Sequence, residues 1–180
     1  MSNILIIGAN RGLGLEFAKQ YSELGHHVFA TTRDKSKSDQ LVAIANTTVF
    51  ELDLNKDKSI DSFIDEMSSI KIDILIHNSG IFRDEQLSED LEIDAWMNEM
   101  RINAITPIIV ARKLKQNVLE GEEKKIIFIS SQLASIDDNN AGRFYFYRIS
   151  KSALNSAAKI LTIAWNYTHS SDPRLPPGGR

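Results

Sequence analysis

Tyr147 and Lys151 stand four residues apart in "FYFYRISKSALN", residues 144–155. On a helix that spacing puts a phenol and an ammonium on one face. A free tyrosine has a pKa of about 10, too high to move protons readily near neutrality. A nearby ammonium favours the phenolate and pulls that value down. Such a pair can hand a proton to a developing alkoxide. Tyr145 has Ile149 at the same offset and so lacks the cation. It is assigned to packing or to a pocket wall, as are the other aromatics before Tyr147.

A second chemical feature lies at the start of the chain. "GANRGLG" supplies Gly8, Gly12 and Gly14 directly after the apolar run "NILIIG". Glycine permits backbone angles that other residues resist, and lets the main chain come close to a pyrophosphate. The helix that follows offers free N–H groups and a partial positive charge. The spacing is G-x-x-x-G-x-G rather than the G-x-G-x-x-G of many dinucleotide folds. A glycine-rich turn packing tightly against a helix is the other reading; the placement between strand and helix favours nucleotide binding.

These groups need a scaffold, and the pattern predicts one. Strands are expected in "NILIIG", "HHVFATT", "TTVFELDL", "IDILIHNSG" and "KKIIFISS". Helices are expected over Leu13–Leu24, Lys35–Ala45, Lys58–Ser69, about Leu91–Leu119, and Tyr147 to about Trp165. Alternating strands and helices imply an α/β fold with a parallel sheet covered on both faces. At 180 residues the chain fits one such domain, read as residues 1–165. "NYTHSSDPRLPPGGR" has no apolar period, and 166–180 are expected to be irregular or disordered.

Composition narrows the function. An apolar fraction of 42%, a charged fraction of 25% and a net charge of −3 are ordinary for a globular protein. They give no electrostatic case for nucleic acid or an anionic membrane. There is no cysteine, which excludes disulfides, thiolate metal sites and a cysteine nucleophile. No histidine pair has a helical ligand spacing, so no metal is expected. No long apolar run or basic leader occurs, and a cytoplasmic setting is expected.

Taken together the motifs resemble the short-chain dehydrogenase/reductase family, over residues 3 to about 165. "HNSG" at 77–80 is similar to its Asn-Asn-Ala-Gly element, with His77 and Ser79 as departures. Asn103 in "RINAITP" matches its helix asparagine, "ISS" at 129–131 its strand-five serine, and Tyr147 with Lys151 its Y-x-x-x-K. The wording "GANRGLGLEFAKQY" and "YRISKSALN" is most similar to C-factor and sniffer-type carbonyl reductases. The resemblance implies a Rossmann-type doubly wound sheet of order 3-2-1-4-5. The family's later strands and substrate-covering helix find no match here, so a shortened form of the fold is expected.

The resemblance also implies roles. Tyr147 would protonate the carbonyl oxygen while Lys151 tunes it and holds the cofactor ribose. Ser131 would position the carbonyl, with Ser130 as the alternative because the linker to Tyr147 is long. Asn103 would hold a water-mediated proton path to Lys151, or else satisfy backbone groups as a buried amide. Gly8, Asn10, Arg11, Gly12, Leu13, Gly14, Asn78 and Gly80 would contact the cofactor. Asp53 with Leu54 would meet the adenine, unless Asp53 caps the next turn.

A carboxylate at the end of strand two accepts from a ribose hydroxyl and repels a 2′-phosphate. Here "ATTRD" offers Thr32 and Arg33, with Arg11 as a second cation, which favours NADP(H) over NAD(H). The other reading pairs Arg33 with Asp34 as a solvated loop residue. The expected activity is NADP(H)-dependent reduction of a small carbonyl by a homodimer or homotetramer. The alternative is a non-catalytic module that binds cofactor or a partner.

Overall fold

The computed structural model describes residues 1–83 and 92–167. Five parallel strands form one sheet in the order β3-β2-β1-β4-β5, as the resemblance implies. They are β1 (Asn3–Ile7), β2 (His27–Thr32), β3 (Thr47–Glu51), β4 (Ile74–His77) and β5 (Lys125–Phe128). β1 sits in the middle, pairing Ile4 with Val28 of β2 and with Ile74 of β4.

Alternation along β1 explains its run of aliphatics. Leu5 and Ile7 join a core with Phe29, Phe50, Leu75 and Phe63 on one face of the sheet. Ile4 and Ile6 join Val28, Ala30, Ile76 and Leu15 on the other. A strand covered on both faces reads as continuous hydrophobe, and each such side chain stabilises by about 1.5–3 kcal/mol on burial.

Helices supply the cover: α1 (Gly12–Glu23), α2 (Asp39–Val42), α3 (Asp57–Met67), α4 (Ile93–Met100), α5 (Thr106–Lys113), α6 (Lys115–Leu119) and α7 (Tyr145–Tyr167). α1 stops where Gly25 takes a φ of +81°, with Gly25 N donating to Ser22 O and His26 N to Tyr21 O. α3 turns Ile60, Phe63 and Met67 into the core.

Several expected boundaries shift. Residues 35–45 hold a 3-10 turn, Lys35–Lys37, and the four-residue α2 rather than one helix. β4 ends at His77 because the Asn78 and Ser79 N–H groups both turn to Ile7 O. The long helix over 91–119 is broken into α4, a π turn at Arg101–Ile105, α5 and α6. The break has a cause in the residues. Thr106 Oγ1 donates to Arg101 O at 2.8 Å, and Pro107 has no N–H to give the preceding turn.

α7 starts two residues earlier than expected and runs through Tyr167. Most of the tail assigned as irregular, and most of the acidic stretch "DEQLSEDLEID", fall outside the described residues.

Candidate active site

The carboxyl ends of β1 and β4 open a crevice where the strand order reverses, the usual ligand position in such sheets. The glycine loop forms its floor. Gly8, with φ +82°, donates its N–H to Thr31 Oγ1 at 2.9 Å and accepts from Asn78 Nδ2 at 2.7 Å. A Cβ on Gly8 would strike Ser79 Oγ, and one on Gly14 would strike Gly8 O. Gly12 differs: its φ is +55° and a Cβ there would meet nothing. That empty space faces a cleft of about 280 Å³. No side chain caps the start of α1, so its first N–H groups remain for an anion. The loop fits a dinucleotide's pyrophosphate.

Of the residues expected at the cofactor, Gly8, Asn10, Arg11, Gly12, Arg33, Asp53, Leu54, Asn78 and Gly80 line the cleft. Gly14 lies beneath it, packed against the loop backbone, and Leu13 is half exposed on α1. The rim settles one open pairing. Asp34 is held by Ser36 N, Ser36 Oγ and Lys37. Among the described residues Arg33 makes no ion pair, so its guanidinium is not occupied by Asp34. Asp53 meets local partners as well as the cleft. It accepts from Asn55 N at 3.0 Å, pairs with Lys56 at 3.1 Å, and still faces the cleft. Burial disfavours its charge, but those contacts and Arg33 outweigh that and hold its carboxyl below the usual range.

Beyond Gly80 the cleft meets the second chemical set. A Cβ on Gly80 would lie 3.3 Å from Asn103 Oδ1 and 3.4 Å from Lys151 Nζ. Lys151 is buried and donates to Ile129 O at 2.8 Å. Its Nζ lies 5.8 Å from the centre of the Tyr147 ring. Tyr147 and Ser131 share a side-chain hydrogen bond, and Ser131 Oγ also accepts from Leu133 N at 3.1 Å. Ser130 Oγ is buried with no hydrogen-bond partner among the described residues. Between the two serines, only Ser131 reaches the tyrosine. Asn103 grips the chain after β4, accepting from Ile81 N and donating to Ile81 O, each at 2.8 Å.

The electrostatics differ from the simple pairing expected. Burial pushes the Tyr147 phenol above its ordinary pKa, the Ser131 hydrogen bond opposes that, and the charge of Glu99 adds to it. Burial lowers the Lys151 ammonium, with Glu99 opposing. The phenol is therefore a held proton rather than a ready phenolate.

Comparison with known proteins agrees with this geometry. A short chain dehydrogenase family model matches residues 2–169. The chain belongs to the short-chain dehydrogenase family. An uncharacterised oxidoreductase of Schizosaccharomyces pombe is 32% identical over 168 residues, covering 87% of this chain and 65% of its own. The carbonyl reductase Sniffer of D. melanogaster superimposes with a TM-score of 0.80 at 28% identity, covering 93% of this chain and 76% of that one. A carbonyl reductase from Pseudomonas aeruginosa PAO1 in complex with NADP gives 0.77 at 30% identity, covering 93% and 76%. The chain spans about two thirds of the length of the curated relatives it matches, from 65% to 67% for three of them.

Within this short-chain dehydrogenase several site residues carried no sequence signal. Thr31 and Ile102 line the cleft, yet each reads as a strand or helix residue. Phe82 meets the Tyr147 ring edge-on at 5.0 Å and Phe144 at 5.2 Å. Phe144 takes a left-handed φ of +58°, a conformation no pattern of hydrophobes reveals. Trp96 stacks on Phe146 at 5.1 Å and meets Tyr145 at 6.2 Å, so Tyr145 belongs to the α4–α7 packing.

Proposed function

We propose that the protein reduces a small ketone or aldehyde to the alcohol with NADP(H). The observation that carries this reading is Gly80. It lines the nucleotide cleft on one side and abuts Lys151 and Asn103 on the other. Cofactor and proton chemistry are thus adjacent. Bound in the cleft, NADPH would supply the hydride. Gly8, Gly12 and the start of α1 would hold its pyrophosphate, and Arg33 with Arg11 a 2′-phosphate. Ser131 would orient the carbonyl oxygen, and Tyr147 would give it the proton as negative charge develops. Lys151 would carry the compensating positive charge beside the phenol, and Asn103 would hold Lys151's surroundings in place. NADP carried by related structures supports the cofactor choice.

A second reading has its own support. β5 pairs with β4 alone among the described strands, and its residues are only partly covered. A module that binds cofactor or a partner without turnover fits that open edge. The exposed Met97, Ile105 and Ile160 on the helices suit self-association as a homodimer or homotetramer under either reading. No helix among the described residues is long and apolar enough to cross a membrane, and a cytoplasmic setting is part of the proposal.

NADPH oxidation over a panel of carbonyls, beside a titration of NADPH binding, separates the readings. Binding with turnover supports the reductase, and binding without it the module. Absence of NADPH binding would overturn both cofactor-dependent readings.

A further inference from the structure

The aromatic run "FYFY" at 144–147 splits in space into two pairs. Tyr145 and Phe146 turn to Trp96 on α4, with ring centres 6.2 and 5.1 Å away. Phe144 and Tyr147 turn instead to Phe82, at 5.2 and 5.0 Å. Packing between helices accounts for the first pair. The second meets a phenylalanine that is 50% exposed, directly beside the reactive phenol. Both phenylalanines are held through their backbones. Asn103 binds Ile81 N and Ile81 O at 2.8 Å each, which fixes the chain just before Phe82. The left-handed φ of +58° at Phe144 is rare for a bulky side chain and persists only where neighbours impose it. Arg148 does so. Its N–H donates to Phe144 O at 2.8 Å, and its guanidinium to Arg143 O and Leu133 O at 3.0 and 3.3 Å. The Phe82 plane stands at 86° to Tyr147 and 56° to Phe144, so the three rings form a corner rather than a stack.

We propose that Phe82 determines substrate specificity: with Phe144 it forms the wall that seats the flat ring of an aryl aldehyde or aryl ketone, while Tyr147 meets the carbonyl oxygen. The assignment rests on the reductase reading given above and names its substrate class. Ile81, the residue before Phe82, lines the nucleotide cleft. The corner thus adjoins both the cofactor cleft and the proton donor, where the group carried by a bound carbonyl must lie. Phe144 is partly buried, with the Arg143 guanidinium 6.0 Å from its ring centre, so Phe82 offers the freer surface. A corner of aromatic rings accepts a further flat ring edge-to-face or offset. A saturated ring of the same size is puckered and has no π face, so it meets this wall less closely.

Benzamide and cyclohexanecarboxamide test this without turnover, since each carries a carbonyl on a six-membered ring and neither is reduced. Ligand-observed NMR titrations with NADPH present should show wild type binding benzamide about 3–10-fold more tightly, the worth of one aromatic contact. Phe82→Leu should bring the two affinities together. Tyr145→Leu, from the same run but turned to Trp96, should keep the wild-type ratio. Three results overturn the proposal: no benzamide preference in wild type, a preference that survives in Phe82→Leu, or one lost equally in Tyr145→Leu. Should Phe82→Leu fail to fold, Phe82→Val asks the same question; failure of both makes Phe82 a packing residue and overturns it too. In an active chain the kcat/KM ratio of benzaldehyde to cyclohexanecarbaldehyde should fall by the same factor in Phe82→Leu, and an unchanged ratio overturns the substrate class. A chain that selects benzamide but oxidises no NADPH counts against the reductase reading alone.

Discussion

The two halves of the cleft are built on different principles. At the glycine loop, backbone does the work: Gly8 and Gly14 allow approaches that a single Cβ would block, and Asn78 ties loop to strand. At the Tyr147 end, side chains do it: Asn103 donates to Ser150, Ser131 bonds Tyr147, and Lys151 is anchored on Ile129 O. The first half is framed by β1, β2 and β4, whose residues are almost all buried. The second leans on β5, the least covered of the strands beside the cleft. A backbone site tolerates change poorly but needs little from its surroundings. A side-chain network is tunable, and it depends on how well it is buried.

The sharpest way to divide the halves is Tyr147→Phe. It removes the proton donor and leaves the glycine loop untouched, so turnover should fall by about 10²–10⁴-fold with NADPH affinity unchanged. Steady-state rates beside a binding titration read both. A parallel loss of binding would mean that the halves are not separable.

Gly14→Ala attacks the other half. Its Cβ would run into Gly8 O and press on Asn78 Nδ2 at 2.6 Å, and backbone cannot step aside as a side-chain tip can. Overpacking of this kind costs about 1–3 kcal/mol. Urea unfolding should show that loss, and NADPH binding should weaken with it. A variant of wild-type stability would show that the loop is looser than the contacts at Gly8 imply.

How much of each half was legible follows from the same contrast. Backbone requirements leave marks in sequence, because only glycine meets them, and Gly8, Gly12 and Gly14 announced the loop. Aliphatic runs such as "ILII" announced β1 for a like reason, since both faces are covered. Tyr147 and Lys151 were readable as an i, i+4 pair. The direction of the Tyr147 shift was not, because it depends on burial and on Glu99, and a helical glutamate is normally solvated. The π turn was hidden inside an unbroken apolar period, although Pro107 hinted at it. Asp34 was the natural partner for Arg33 in sequence, but Ser36 and Lys37 claim it in space.

That last point gives the next test of the backbone half. With Arg33 in no ion pair among the described residues, Arg33→Ala should weaken NADPH binding by about 10–100-fold, the value of a charge-assisted hydrogen bond. NADH binding should barely change. Equal effects on both cofactors would remove the 2′-phosphate role and leave Arg33 as a surface charge.

His77 closes the comparison, because it ends β4 where the two halves meet. It is buried, its Nε2 has no hydrogen-bond partner among the described residues, and its pKa is pushed down to about 3 by burial and then by Lys151. The sign follows from linkage. Between the unfolded value near 6.5 and the folded value near 3, the unfolded chain binds the proton that the folded one refuses, so stability falls as pH falls. From pH 7 to pH 5 this single group should cost at most about 2 kcal/mol. The ordinary carboxylates titrate mostly below that window. His77→Phe keeps a ring of similar size beside Phe128, 6.3 Å away in the native protein, and removes the titration. Urea midpoints at pH 7 and pH 5 should therefore diverge for wild type and nearly coincide for the variant. If the variant keeps the wild-type pH slope, the acid sensitivity belongs elsewhere and the boundary between the halves is drier or wetter than His77 reports.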